Sequence, residues 1–222
     1  MKKFASLIAA ITAFGFVNAA SAADMPMRSA SAPMMAPGYN WSGLYIGVNG
    51  GYGTGTVAGG LFPTLGSSNP TISGGLVGGQ IGYNFQFGNW VLGIEADYDW
   101  AGINGSGTVA GSNVKVTSLG TARGRLGYAW DRVLVYGTGG FAWAGATGSG
   151  PGFADETKTH TGYAAGGGLE VGVTQSLSVK GEYLYTSLTS QNYFTTQGCV
   201  GACDAGANIH TFRLGANWRF WP

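Results

Sequence analysis

Trp90-Val91-Leu92-Gly93-Ile94-Glu95-Ala96-Asp97-Tyr98-Asp99-Trp100 alternates in polarity from end to end. Trp90, Leu92, Ile94, Ala96, Tyr98 and Trp100 share one parity, and Val91, Gly93, Glu95, Asp97 and Asp99 share the other. A period of two marks an extended strand, whose successive side chains point to opposite faces. One face is bulky and apolar, and the other carries three carboxylates. In a water-soluble sheet the apolar face needs a cover, and nothing else in the chain reads as a helix able to supply one. A closed barrel with its apolar side chains turned outward into lipid satisfies both faces and leaves no unpaired edge.

Working outward from this stretch, the same period predicts eight strands, over 43–53, 74–87, 90–101, 114–130, 133–146, 160–174, 177–187 and 208–220. Each meets the roughly 9–11 residues that a tilted spanning strand needs. Gly88-Asn89, Asp131-Arg132 and Gln175-Ser176 read as tight turns, whereas 54–73, 102–113, 147–159 and 188–207 are long and polar. Alternating short and long connections predict an all-β fold: an eight-stranded antiparallel transmembrane β-barrel with short periplasmic turns, longer external loops and both termini on the periplasmic side.

The apolar parity assigns Leu44, Ile46, Val48 and Tyr52 to the lipid face, with Val77, Ile81, Tyr83, Phe85 and Phe87 on the second strand. On the fourth strand it assigns Val114, Val116, Ala122, Leu126, Tyr128 and Trp130. The fifth strand is ambiguous, because Val133, Val135, Phe141 and Trp143 oppose Leu134 and Tyr136. Aromatic residues concentrate near the turns, as interfacial girdles do.

The opposite parity carries Glu95, Asp97, Asp99, Lys115, Arg123, Arg125, Glu170, Lys180, Glu182, Arg213 and Arg219. A Lys or Arg on the lipid face near the midplane costs about 2–4 kcal/mol, so these residues are expected inside, as a lumen charge network. The triplet Glu95, Asp97, Asp99 has the oxygen chemistry of a cation site. Pairing with Arg123 and Arg125 on the next strand is the preferred reading. Glycines on the lumen parity, such as Gly82 and Gly93, are expected to make room for larger inward side chains.

The chain has 222 residues, 42 of them Gly, and only 9% are charged; it also has 13% aromatics. Collagen and disordered chains are thereby excluded. Lys2 and Lys3, the apolar run from Phe4 to Val17 and Ala20-Ser21-Ala22 read as a secretory signal over residues 1–22. Residues 23–40 read as a flexible periplasmic leader and 41–222 as the barrel. Removing two of the 11 basic residues with the signal leaves nine against ten acidic ones, and no basic patch points to nucleic acid. Cys199 and Cys203 predict a local disulfide in an external connection of an exported chain. With two His and no nucleophile elbow or phosphate-binding loop, the sequence predicts no enzyme, no cofactor and no metal site.

Four motifs carry a family resemblance: Ala22-Ala23-Asp24-Met25-Pro26, the opening strand Trp41-Ser42-Gly43-Leu44-Tyr45-Ile46-Gly47, the run Val135-Tyr136-Gly137-Thr138-Gly139-Gly140, and the closing Arg213-Leu214-Gly215-Ala216-Asn217-Trp218-Arg219-Phe220. Together they resemble the RopB-type family of small alphaproteobacterial outer-membrane barrels, over nearly the whole mature chain. The resemblance implies an OmpA-like transmembrane barrel with a structural role in the outer membrane; some relatives are described as porins or surface antigens. Such barrels end on an aromatic residue read by the barrel assembly machinery. Phe220 is the expected signal here, although Trp221-Pro222 follow it. Expected partners are outer-membrane lipid and lipopolysaccharide, the assembly machinery, and a host surface or small ligand at the external loops. The functional expectation is envelope integrity and surface display. A narrow porin for ions or very small solutes, and a loop-based adhesin, are the alternatives.

Overall fold

A computed structural model describes residues 39–58, 71–106, 113–150, 153–192 and 204–220. The strands are β1 (Gly43–Ala58), β2 (Thr71–Phe87), β3 (Trp90–Ser106), β4 (Asn113–Trp130), β5 (Val133–Gly150), β6 (Phe153–Gly172), β7 (Leu177–Asn192) and β8 (Asp204–Arg219). Each pairs antiparallel with its neighbour in sequence, and β8 pairs with β1 to close the barrel. At the seam the Phe220 amide donates to the Leu44 carbonyl at 2.9 Å. The signal segment 1–22, most of the leader, and Cys199 and Cys203 lie outside the described residues.

The alternation in sequence is the alternation in space. Ile94 is 66% exposed while its neighbour Glu95 is 5% exposed. The ambiguity of β5 resolves: Leu134 and Tyr136 are buried in the lumen, whereas Val135 and Phe141 face outward. Turn-side rings pack edge to face, as in Trp90 against Tyr128 at 5.3 Å, and Tyr98 and Trp100 do the same higher on β3 at 5.7 Å.

Four sequence expectations need correction. First, the strands run beyond their predicted outer ends; β5 and β6 extend through most of the expected 147–159 connection. Apolar alternation stops where lipid stops, but backbone pairing continues through Thr, Gly and Ala without it. Second, the β6–β7 turn has four residues, 173–176, rather than two. The Leu177 amide bonds to Thr174 Oγ1 at 3.0 Å, and the Val173 and Thr174 amides both donate to the Leu177 carbonyl.

Third, Lys115 is not in the lumen. The ladder slips between Val116 and Ser118 on β4, and between Trp100 and Ile103 on β3. An extra residue in a strand reverses the facing of everything beyond it. Val116, expected in lipid, is therefore inward and 2% exposed, and Lys115 is outward and exposed. Fourth, Tyr39 and Asn40, assigned by sequence to the leader, are docked into the barrel. Tyr39 and Trp41 are 3% and 0% exposed in the turn-side mouth.

Candidate functional site

Every strand of the barrel sends alternate side chains inward, so the lumen is the place where the chain collects its chemistry. It is built in three layers. At the turn end, Tyr39, Trp41, Val91, Ala129, Leu134 and Tyr136 form an apolar cluster. The Trp41 indole donates to the Asp131 carbonyl at 2.9 Å, and its amide to Gln86 Oε1 at 2.7 Å. Asp131 itself adopts a left-handed φ of 51° in the β4–β5 turn, which brings its carboxylate to the Tyr39 amide at 3.1 Å. Arg219 closes the layer: it donates to the Asn40 carbonyl at 2.9 Å, and its guanidinium lies over the Trp41 ring at 5.0 Å.

The middle layer is ionic. Arg123 is its hub. It meets Glu95 at 2.8 Å, Asp97 at 2.7 Å and Glu182 at 2.9 Å, and its Nε donates to Thr121. Arg213 bridges Asp97 and Asp99, each at 2.9 Å, and also donates to Glu182. Lys180 caps Glu95 at 2.9 Å. Arg125 meets Glu170 at 2.7 Å and lies over the Tyr136 ring at 4.0 Å.

Uncharged polar groups complete the network. The Tyr45 hydroxyl donates to Glu95 at 2.7 Å. Ser178 and Asn217 both donate to Glu170, and Gln80 donates to Asn217. The signal that could have found Tyr45, Gln80, Ser178 and Asn217 is their inward parity. Two glycines make the reach possible: a Cβ at Gly82 would overlap the Tyr45 ring, and one at Gly93 would overlap the Asn84 amide.

With Lys115 outside, the residues read from the sequence as a lumen network leave five carboxylates and five cations inside, against the five and six expected. All ten are at most 5% exposed. Dehydrating such charges costs several kcal/mol per ion, and only dense pairing with further hydrogen bonds offsets it. Asp97 spans the two hubs Arg123 and Arg213, so each acid-base contact is supported by another. The three carboxylates of β3 are thus held by guanidinium and ammonium groups.

The outer layer is dry. Val57, Ile72, Leu76, Ala101, Ile103, Val116, Leu119, Ala144, Ala146, Leu188 and Ile209 form one buried cluster inside the barrel wall. Ile72, Ile103, Leu119 and Ile209 have no solvent exposure at all. A Cβ at Gly53 would overlap Ile103, which shows how closely the wall approaches this plug. The two histidines stand on opposite faces of the wall. His160 is buried inward, its Nδ1 3.0 Å from the Thr189 carbonyl, whereas His210 is outward and bonded to the Tyr183 hydroxyl at 2.6 Å.

Comparison with known proteins agrees with this architecture. The outer membrane protein beta-barrel domain family matches residues 9–220. The 31 kDa outer-membrane immunogenic protein of Brucella melitensis is 37% identical over 246 residues, taking in 97% of this chain and 99% of that protein. The 22 kDa outer membrane protein of Rhizobium leguminosarum bv. viciae is 33% identical over 186 residues, or 83% of this chain and 80% of its relative. Among solved structures, Neisserial surface protein A superposes with a TM-score of 0.50 at 12% identity, covering 81% of this chain and 98% of the other; that likeness is one of fold alone.

Proposed function

Since the chain belongs to the outer membrane protein beta-barrel family and resides in the outer membrane, we propose that it is a closed structural barrel that contributes to envelope integrity and holds its external connections at the cell surface. The observation that carries this reading is the lumen. Among the described residues, an ion moving inward past the rim pair Lys158–Glu156 meets the apolar plug around Ile103, Leu119 and Ile209 before it reaches the charges of the middle layer. Below that it meets carboxylates and cations already committed to each other. An eight-stranded wall leaves little more room than its own side chains need. The narrow-porin alternative therefore finds no support in the geometry.

Surface display is supported by strand length. Strands of 16–20 residues exceed the roughly 9–11 that span the apolar layer, so the wall continues outward as a rigid pedestal for the connections. The test is conductance of the purified full-length protein in planar bilayers. Silence is the expected result, and stable, reproducible current steps would overturn the reading.

A further inference from the structure

The ladder slip on β4 does more than shorten the lumen network. Bulges re-aim side chains, and this one turns Lys115 to the outside of the barrel. Among the described strand residues, Lys115 is the one Lys or Arg on the outward face, and no ion pair among those residues involves it. It sits between Asn104 on β3 and Thr147 on β5, in a polar field.

Below Lys115 the exterior of β4 changes character. Trp100 stands opposite Ser118 and is 65% exposed. The Trp143 indole lies flat on Gly120, where a Cβ would overlap it. These two tryptophans have the amphipathic shape suited to the lipid headgroup boundary. Further down, small residues replace large ones: Ala96 pairs with Ala122, and Gly124 with Gly139. Leu44, Ile81, Tyr83 and Ile94 wall a groove of about 470 Å³ beside Ala96 and Ala122 on the apolar exterior.

Lys115 lies ~20 Å along the strand from Ala122, counting six steps of ~3.3 Å past the bulge. With the usual strand tilt of about 35–45° that is roughly 15 Å of height, close to half of the ~25 Å apolar band. A cation at the headgroup level, rings beneath it and an apolar groove at the depth of chain ends follow the dimensions of one outer-leaflet lipid.

We infer that the outer face of β4, with β5 on one side and β1–β3 on the other, is a binding site for lipopolysaccharide. Lys115 meets a phosphate of the phosphorylated sugar head. Trp100 and Trp143 lie against the boundary between sugar and acyl chains. One acyl chain occupies the groove beside Ala96 and Ala122. The occupant is lipopolysaccharide rather than phospholipid because Lys115 lies on the external side, in the leaflet where the phosphorylated saccharide resides.

The test uses the full-length barrel in detergent micelles, with folding of each variant checked by heat-modifiable gel mobility. Retained lipid is counted by native mass spectrometry after addition of lipopolysaccharide, dephosphorylated lipopolysaccharide or phosphatidylglycerol. The wild type is expected to retain the phosphorylated glycolipid over both others. Lys115→Gln is expected to lower retention about five-fold, the scale of one lysine at an anionic lipid surface, and Lys115→Arg to restore it. Ala122→Phe, which fills the groove, is expected to lower retention with the charge intact; should that variant not fold, the Lys115 pair decides alone. Equal retention by wild type and Lys115→Gln would overturn the site, as would equal retention of phosphatidylglycerol and lipopolysaccharide. Unchanged retention by a folded Ala122→Phe would remove the acyl groove from it.

Discussion

The middle and outer layers of the lumen face the same way on the same strands, yet one is ionic and the other is dry. β3 shows the contrast within a single strand: Glu95, Asp97 and Asp99 point into the network, and Ala101 and Ile103 into the apolar plug. Inward in a small barrel therefore does not mean wet. The interior is a packed core in which charges are admitted only where partners from other strands reach them. The middle layer specifies who pairs with whom, and the outer layer closes the space above it.

The contrast can be broken experimentally. The largest effect is expected for Arg123→Ala, which strands Glu95, Asp97 and Glu182 in a buried site. Removing one partner from a buried ionic cluster costs about 3–5 kcal/mol, measurable by urea unfolding in micelles followed by tryptophan fluorescence. Leu119→Ala, in the dry layer, is expected to cost about 2–5 kcal/mol through a cavity that the surrounding wall fills only partly. If Leu119→Ala costs markedly more than Arg123→Ala in the same titration, the ionic layer is not the tighter constraint.

The next effect sharpens the distinction between the two sides of the wall. Ile94→Lys puts an ammonium on the lipid face, at a cost of about 2–4 kcal/mol near the midplane. It should reduce the heat-modifiable folded band far more than Ile94→Ala, which shortens the same side chain and keeps the lipid face apolar. Equal loss in both variants would contradict the facing of β3. The smallest effect is expected at the rim, where Lys158 and Glu156 pair at 3.1 Å with partly exposed side chains. Glu156→Gln should shift stability by about 0–1 kcal/mol, and a larger shift in the urea midpoint would extend the ionic core to the rim.

How much of this was legible in the sequence varies by element. The strand count, two of the three tight turns and the lipid face of β3 follow from alternation alone. On β4 the same rule fails at Val114-Lys115-Val116-Thr117, which alternates like any strand. The slip that reverses it lies in pairing with Ile103 on one side and Gly145 on the other. No local pattern marks it. The dry layer is not legible because charge marks only the ionic part of the lumen, whereas Ile72, Leu188 and Ile209 lie inward near strand ends where alternation fades. The docking of Tyr39 beside Trp41 is not legible because the Met, Pro, Ser and Ala before it carry no period.

Alternation along a strand depends only on the chain and the boundary between lipid and everything else, so the sequence by itself determined the barrel and which side of β3 meets hydrocarbon. Which cation meets which carboxylate was decided by closure of the cylinder. Arg213 and Asp97 are 116 residues apart, and only the tilt, register and curvature of all eight strands bring them within reach. The outward turn of Lys115 belongs to the same class, since a bulge is a property of two paired strands and not of either one.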